Sequence, residues 1–386
     1  MGVTTYDNGT MFVPVKSGTP CPICGKRDGR CSEFYLNHKL HYISCKNVAS
    51  DEPSNLPGWY IHRVANTQRL ERVPLSIPEV RYTVTEEVIE LRDKVYRELR
   101  RLISLHITGG LYKEDKADLV GRGLSEEEIK KLGVFSVPKS THKVSSDDGS
   151  YEMQLATYVA KKLYEKYDKE LLKVAGFMKL TGQNGDYITF KTKMKNQETK
   201  KLMDIRGYYI PYMNYKGQFV GMQYRLSEAM LDDKGKPIRY FWFSSKDASS
   251  GSPIDFITPS KYKSENVLLV GEGALKMKIA CEKLNTLGMA QAGVTNYNAL
   301  VTEIQMLEIK NRVKYNVILA LDMDKNTIKQ DVNGKDFYPV LDAETKTIDI
   351  LKMTGHKVVI AEWDIEKGKG IDDALVNGAK INYKIV

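Results

Sequence analysis

Residues 266–284 read NVLLVGEGALKMKIACEKL and residues 315–324 read YNVILALDMD, and the layout they share decides the fold of the C-terminal third of the chain. Each carries a short aliphatic run, too brief for a helix and too apolar to have a wet face, as in a strand covered on both sides. In the first stretch the apolar residues then resume at helical spacing, so LKMKIACEKL predicts a helix. The alternation continues with TKTIDILKMTG (345–355) as a helix and HKVVIAEWD (356–364) as a strand. Strands that alternate with helices imply a parallel sheet with helices on both faces.

Acidic residues sit where those strands end. Glu272 follows VLLVG, flanked by Gly271 and Gly273, which permit close backbone approach. Asp322 and Asp324 close the second strand, and two residues spaced by one point the same way from an extended segment. GKGIDDAL places Asp372 and Asp373 after the third. A lone D-x-D is most often a solvated strand end or a cap. Three acidic points after three strands of one sheet are a different matter. Carboxylates brought together raise one another's pKa unless a cation joins them, and hard oxygen donors suit Mg²⁺ or Mn²⁺.

Upstream the pattern changes. EEVIELRDKVYRELRRLISLHI (86–107) carries Val88, Leu91, Val95, Leu99 and Leu102 at helical spacing, which predicts a surface helix with one buried face. Ser125 and Glu128 form an S-x-x-E capping box at the start of a short helix. A charged helix is expected over 155–172. DYITFKTK (186–193) alternates, RGYYIPYMNYKGQFVGMQYRL (206–226) reads as two strands joined at Asn214 to Gly217, and IRYFWFSS (238–245) as another.

The N-terminal stretch differs again. Four of the five cysteines lie between Cys21 and Cys45 in the pattern C-x2-C-x6-C-x13-C, opening on the knuckle CPICGK. Such clustering points to metal, and four thiolates complete a structural Zn²⁺ site. His38 and His41 are alternative ligands. Cys281, alone on a helix, reads as a small buried residue. The polar, Pro-containing DEPSNLPG (51–58) marks a boundary. The expected organisation is a zinc ribbon over 1–60, a connector over 61–84, a mixed α+β unit over 85–262 and an α/β unit over 263–386.

Lys and Arg number 58 against 49 acids, a formal net charge of +9, which favours a polyanionic partner. No stretch approaches the roughly 20 apolar residues of a membrane helix, and MGVTTYDNGT lacks a signal-peptide layout. A cytoplasmic location follows as an expectation. No G-x-x-x-x-G-K-[ST] occurs, so a helicase motor would have to act in trans.

In order, these segments resemble a known family. E-G after a strand, D-x-D after a later strand and a final acidic patch are similar to the Toprim domain of DnaG-type primases and topoisomerases. CPICGK, QYR, WFSS, EGALKM and GKGIDDAL resemble the Toprim primase-like proteins of plasmids, phages and integrated elements over nearly the whole chain. The resemblance implies a metal-dependent primase acting on single-stranded DNA with nucleoside triphosphates. It puts Mg²⁺ or Mn²⁺ on Glu272, Asp322 and Asp324, template or nucleotide near Arg225 and Arg239, and Asp372 in the last Toprim motif. Tyr224, Tyr240, Phe241 and Trp242 would stack bases or fill the core. The chain departs from the family at Lys276 and Gly370, where acids are usual; Lys276 would then contact a phosphate or lie solvated on its helix. RecR-type accessories, which pair a zinc module with a Toprim domain, and Toprim nucleases are the alternatives.

Overall fold

The structure is a computed structural model that describes residues 4–5, 11–15, 20–26, 30–36, 39–54, 57–64, 85–182, 185–195, 201–231, 235, 237–246, 248–262, 266–330 and 334–386. The cysteine-rich segment forms an antiparallel five-stranded meander of β1 (Thr4–Thr5), β2 (Met11–Pro14), β3 (Cys31–Leu36), β4 (Lys39–Cys45) and β5 (Tyr60–Arg63). Strand β5 runs into the stretch expected as connector, because Tyr60 to Arg63 pair with Cys45 to Tyr42 and extend the sheet. The rest of that expected connector, from 65 on, lies outside the described residues.

Helix α1 (Glu86–His106) begins where Thr85 caps the Val88 N–H and buries Val95, Tyr96, Leu99, Leu102 and Ile103. Helix α2 (Lys113–Gly121) follows, then α3 (Glu126–Leu132). The Ser125 and Glu128 capping box is present in both directions, at 3.2 and 2.6 Å. Strand β6 (Phe135–Ser136) joins a sheet completed by β7 (Gly207–Met213), β8 (Phe219–Leu231) and β9 (Pro237–Trp242), antiparallel throughout in the order β9-β8-β7-β6. Helix α4 (Leu155–Tyr167) stops short of the expected Leu172; the chain tightens there into a 3₁₀ turn through Lys173. Strand β7 is buried on both faces: Tyr209 packs with α1 and α4, while Tyr208, Ile210 and Tyr212 pack toward the C-terminal sheet.

That sheet has six strands in the order β10 (Asp255–Ile257), β12 (Gly288–Gln291), β11 (Val267–Glu272), β13 (Asn316–Ala320), β14 (Val358–Glu362) and β15 (Asn382–Ile385). The four central strands are parallel and both edges antiparallel. Its first edge strand lies ahead of residue 263. Helices α5 (Ala274–Leu284), α6 (Tyr297–Asn311), α7 (Pro339–Met353) and α8 (Ile371–Val376) complete the unit. Helices α5 and α8 share one core with the middle sheet, while α6 and α7 cover the opposite face. The parallel sheet and its two covered faces match the sequence reading.

Among the described residues no helix is long and apolar enough to cross a membrane.

Candidate functional site

Parallel strands end on one side of their sheet, so residues just past β11 and β13 meet at a common edge. Gly271 pairs with Ala320 across these two strands. A Cβ at Gly271 would lie 2.4 Å from the Met277 sulfur and 2.6 Å from the Ala320 carbonyl oxygen, so only glycine fits there. Gly273, at φ +85°, turns the chain into α5. The result is an open cleft of about 330 Å³. Glu272, Lys276, Asp322, Asp324 and Lys369 line one side, and Gln223 and Tyr240 from β8 and β9 face them.

The three acids expected to share a cation thus line one cleft, but not as a tight knot. Among the described residues, the only group of three or more acidic, His or Cys side chains with ligand atoms within 4.8 Å of one another is the cysteine cluster. Asp324 opens a 3₁₀ turn, so the extended geometry expected of D-x-D does not persist beyond β13. Lysines sit against the aspartates instead. The Lys276 ammonium donates to both Asp322 oxygens, at 2.6 and 2.7 Å. Lys369 lies 2.8 Å from Asp324 and 3.4 Å from Asp322, bridging the two.

Burial raises the Glu272 pKa above the usual carboxylate range, and Lys276 only partly opposes this. Burial also works against the Lys276 charge, yet the Asp322 carboxylate outweighs it and the lysine pKa rises. Lys369 is raised in the same way, chiefly by its hydrogen bond to Asp324. Two of these carboxylates have oxygens that no hydrogen-bond donor satisfies. Among the described residues no group donates to Glu272, and Asp324 Oδ1 is buried without a hydrogen-bond partner. The donor set therefore fits Mg²⁺ or Mn²⁺, with Asp322 already shared by the lysines.

Other candidate residues fall differently. Arg225 is 1% exposed, donating to Asp118 at 3.2 Å and to the Leu226 carbonyl, and lies over the Tyr208 ring. It is a buried structural cation, not a surface on which template or nucleotide rests. The packing of the C-terminal unit against this sheet encloses it. Arg239 is exposed, but strand alternation puts it on the opposite face from Tyr240 and the cleft. Asp372 is buried at the start of α8, 3.6 Å from Arg122 and beside a second cavity, not in the main cleft. Burial pushes its pKa up, with Asp373 adding to the effect.

Of the four aromatic residues, Tyr224 is core, stacked on Phe241 at 4.3 Å, and Trp242 packs on Tyr212. Tyr240 alone among them is in the cleft, 40% exposed. Lys369, Lys329 and Gln223 belong to the cleft lining and were not singled out from the sequence. The lysine between two glycines in GKGIDDAL was the available signal for the first. Cys281 is fully buried, which pushes its thiol pKa up and fits a packing role.

The N-terminal cysteines gather from a turn and two strands. Cys31 and Cys45 face each other across β3 and β4. Their sulfurs lie 3.3 Å apart, with Cys24 3.6 Å from Cys31, and all four sulfurs are within 4.8 Å of one another. A tetrahedron with Zn–S bonds of about 2.3 Å has edges of about 3.8 Å, so the spacing fits zinc. None of the cysteines is in a disulfide. Burial opposes the Cys24 thiolate, but hydrogen bonds from Lys26 N–H and the Asn47 amide bring its pKa down to about 7. His41 is not in the cluster, and His38 lies outside the described residues.

Comparison with known proteins places residues 262–381 in the span of a family model described as a domain of unknown function, DUF3854. No curated protein matches the chain. Among solved structures it is similar to the RNA polymerase domain of Mycobacterium tuberculosis primase DnaG, at 14% identity over 72% of this chain and 75% of that one, with a TM-score of 0.45. It is similar to the DnaG primase catalytic domain bound to ssDNA, at 16% identity over 74% and 76%, TM-score 0.42. The Aquifex aeolicus primase, comprising zinc-binding and RNA polymerase domains, is similar over 99% of this chain and 81% of its own, at 14% identity and TM-score 0.43.

Proposed function

We propose that this chain is a primase-like nucleotidyltransferase that makes short primers on single-stranded DNA, with a structural Zn²⁺ on Cys21, Cys24, Cys31 and Cys45. The observation that carries the reading is the cleft itself. Carboxylates from the ends of two neighbouring parallel strands face an aromatic ring and an amide from an upstream sheet, with lysines between them. The ordered motif set, from CPICGK to GKGIDDAL, supports the same reading.

Glu272 and Asp324 would hold Mg²⁺ or Mn²⁺ at the edge they share with Asp322, whose oxygens Lys276 occupies. Bound there, the ion would lower the pKa of a primer 3′-hydroxyl and offset charge on the transferring phosphate. The protein's own part is positional. Lys369 and Lys329 present ammonium groups to triphosphate oxygens, while Lys276 is held on Asp322. Tyr240 offers an exposed ring for a base. Gln223, held by the Tyr212 hydroxyl at 2.9 Å, presents its amide N–H at the cleft wall.

The test is a priming assay on single-stranded template with nucleotides and Mn²⁺ or Mg²⁺. Short oligomers are expected from the wild type, and their loss in the Asp322→Ala, Asp324→Ala double variant. Undiminished synthesis by that variant rejects the site.

A second reading is a DNA-binding accessory without catalysis. It is favoured by the lysines seated on both aspartates, which offset the acids without any metal. Tight single-strand binding with no nucleotide incorporation under any metal would select it.

A further inference from the structure

The acidic edge of the C-terminal sheet carries a cation of its own. Lys276 leaves α5 and runs its stem against the backbone at Gly370. A Cβ there would stand 3.0 Å from Lys276 Cδ and 2.6 Å from Asp372 Oδ1. The lysine stem and a side chain at 370 thus compete for one space, and the chain gives it to the lysine. The Lys276 ammonium then sits on both oxygens of Asp322. Glu272 and Asp372 are also close enough to stabilise its charge.

Four carboxylates gather here: Glu272, Asp322, Asp324 and Asp372. Three fixed cations answer them, with Lys276 and Lys369 on the aspartates of the cleft and Arg122 on Asp372. The oxygens without a partner lie on Glu272, on Asp324 Oδ1 and on Asp372 Oδ1. The Asp372 oxygen lies against Gly370 and the lysine stem, while Glu272 and Asp324 line the cleft.

We infer that Lys276 is the resident cation of this site: it supplies by side chain the charge that a second divalent ion would bring, so that the cleft takes one divalent ion, on Glu272 and Asp324. This rests on the nucleotidyl-transfer reading and assigns how its charge is shared between protein and metal. Lys276 is a positioning residue for Asp322, because it fixes that carboxylate bidentately and withholds it from a further ion.

The experiment is an Mn²⁺ titration of the full-length, zinc-loaded chain, read by the free-ion electron paramagnetic resonance signal, with no nucleotide or DNA present. Wild type is expected to bind one Mn²⁺ in the cleft. Lys276→Met keeps the stem but removes the charge, and it should either bind a second ion or bind the first about tenfold tighter, since a vacated carboxylate is costly without a cation. Lys276→Arg keeps the charge and should stay at one ion. Glu272→Gln should lose the ion.

Two ions on wild type overturn the inference, even if Lys276→Met does not fold. So does a Lys276→Met protein with unchanged number and affinity. Either result leaves the primase reading intact. No Mn²⁺ on wild type overturns both.

Discussion

Replacing Asp322 by asparagine removes the acceptor that holds the Lys276 ammonium, and the cost can be bounded from the geometry. At 2.6 Å the two charges attract by roughly 6 kcal/mol at an effective dielectric constant of about 20. Desolvation of both ions offsets most of that, so the intact pair is worth far less than the gross attraction. Breaking one partner is another matter, because the remaining charge stays enclosed; such losses run at about 3–5 kcal/mol. The Lys276 side chain keeps 28% of its exposure, so the low end applies: about 3 kcal/mol for Asp322→Asn. Lys276→Met leaves Asp322 with Lys369 at 3.4 Å and should cost about 2 kcal/mol. The double variant removes both charges and should also cost about 2 kcal/mol, a coupling energy of about 3 kcal/mol. Urea unfolding followed by tryptophan fluorescence measures this, since Trp363 lies in the same core cluster. Additivity of the two single variants within about 0.5 kcal/mol would show that the lysine and aspartate do not sense each other, and the charge-sharing argument would fail with it.

Three further outcomes follow from other parts of the molecule. Arg225→Met should destabilise the protein by about 1–2 kcal/mol, by losing the guanidinium's bonds to Asp118 and the Leu226 carbonyl and its packing on Tyr208, while Asp118 keeps Arg122 and the Tyr208 hydroxyl; the folded variant should keep its affinity for single-stranded DNA within about twofold in a binding titration, since the residue does not reach solvent. Elemental analysis should find one zinc per chain, and Cys31→Ser should lose it. Chelation should then abolish protection of residues 11–63 from proteolysis while the core transition persists, because metal binding supplies the folding energy of such modules. Glu303 has its pKa raised to about 7 by burial, against a small opposing effect of Lys216. The folded state therefore holds a proton that the unfolded state has lost between the ordinary carboxylate range and about 7, so stability falls as pH rises across that window. Glu303→Gln removes the effect, and its melting temperature should gain on wild type between pH 5 and pH 8; parallel curves would contradict the assignment.

Much of this architecture is legible in the order of residues alone. Aliphatic runs such as NVLLV and NVILA state their own burial, and Ser125 with Glu128 states a helix start, because both signals are local. The common edge shared by Glu272, Asp322 and Asp324 is legible for a related reason: parallel strands must end together. Strand β12 was missed because GMAQ offers no β-branched residue and is held only by its neighbours. Helix α6 starts at Asn296 without a side-chain cap, so its beginning carries no local mark. The fate of Arg225 depends on a second layer packing on β8, a long-range event with no trace in the alternation of that strand. The seating of Lys276 on Asp322 spans 46 positions of chain and hinges on the bare backbone at Gly370.

Asp255 has a further consequence. Its carboxylate is fully enclosed, accepting the Met213 N–H at 2.8 Å through one oxygen and lying 2.5 Å from Lys278 through the other. Met213 ends the strand that leads to the hairpin turn before β8, whose Gln223 forms part of one wall of the cleft, and Lys278 stands one half-turn along α5 from Lys276, on the other wall. This buried ion pair thus joins both jaws, beside the core they share. The jaws cannot part at this point without drawing a buried charge into the open.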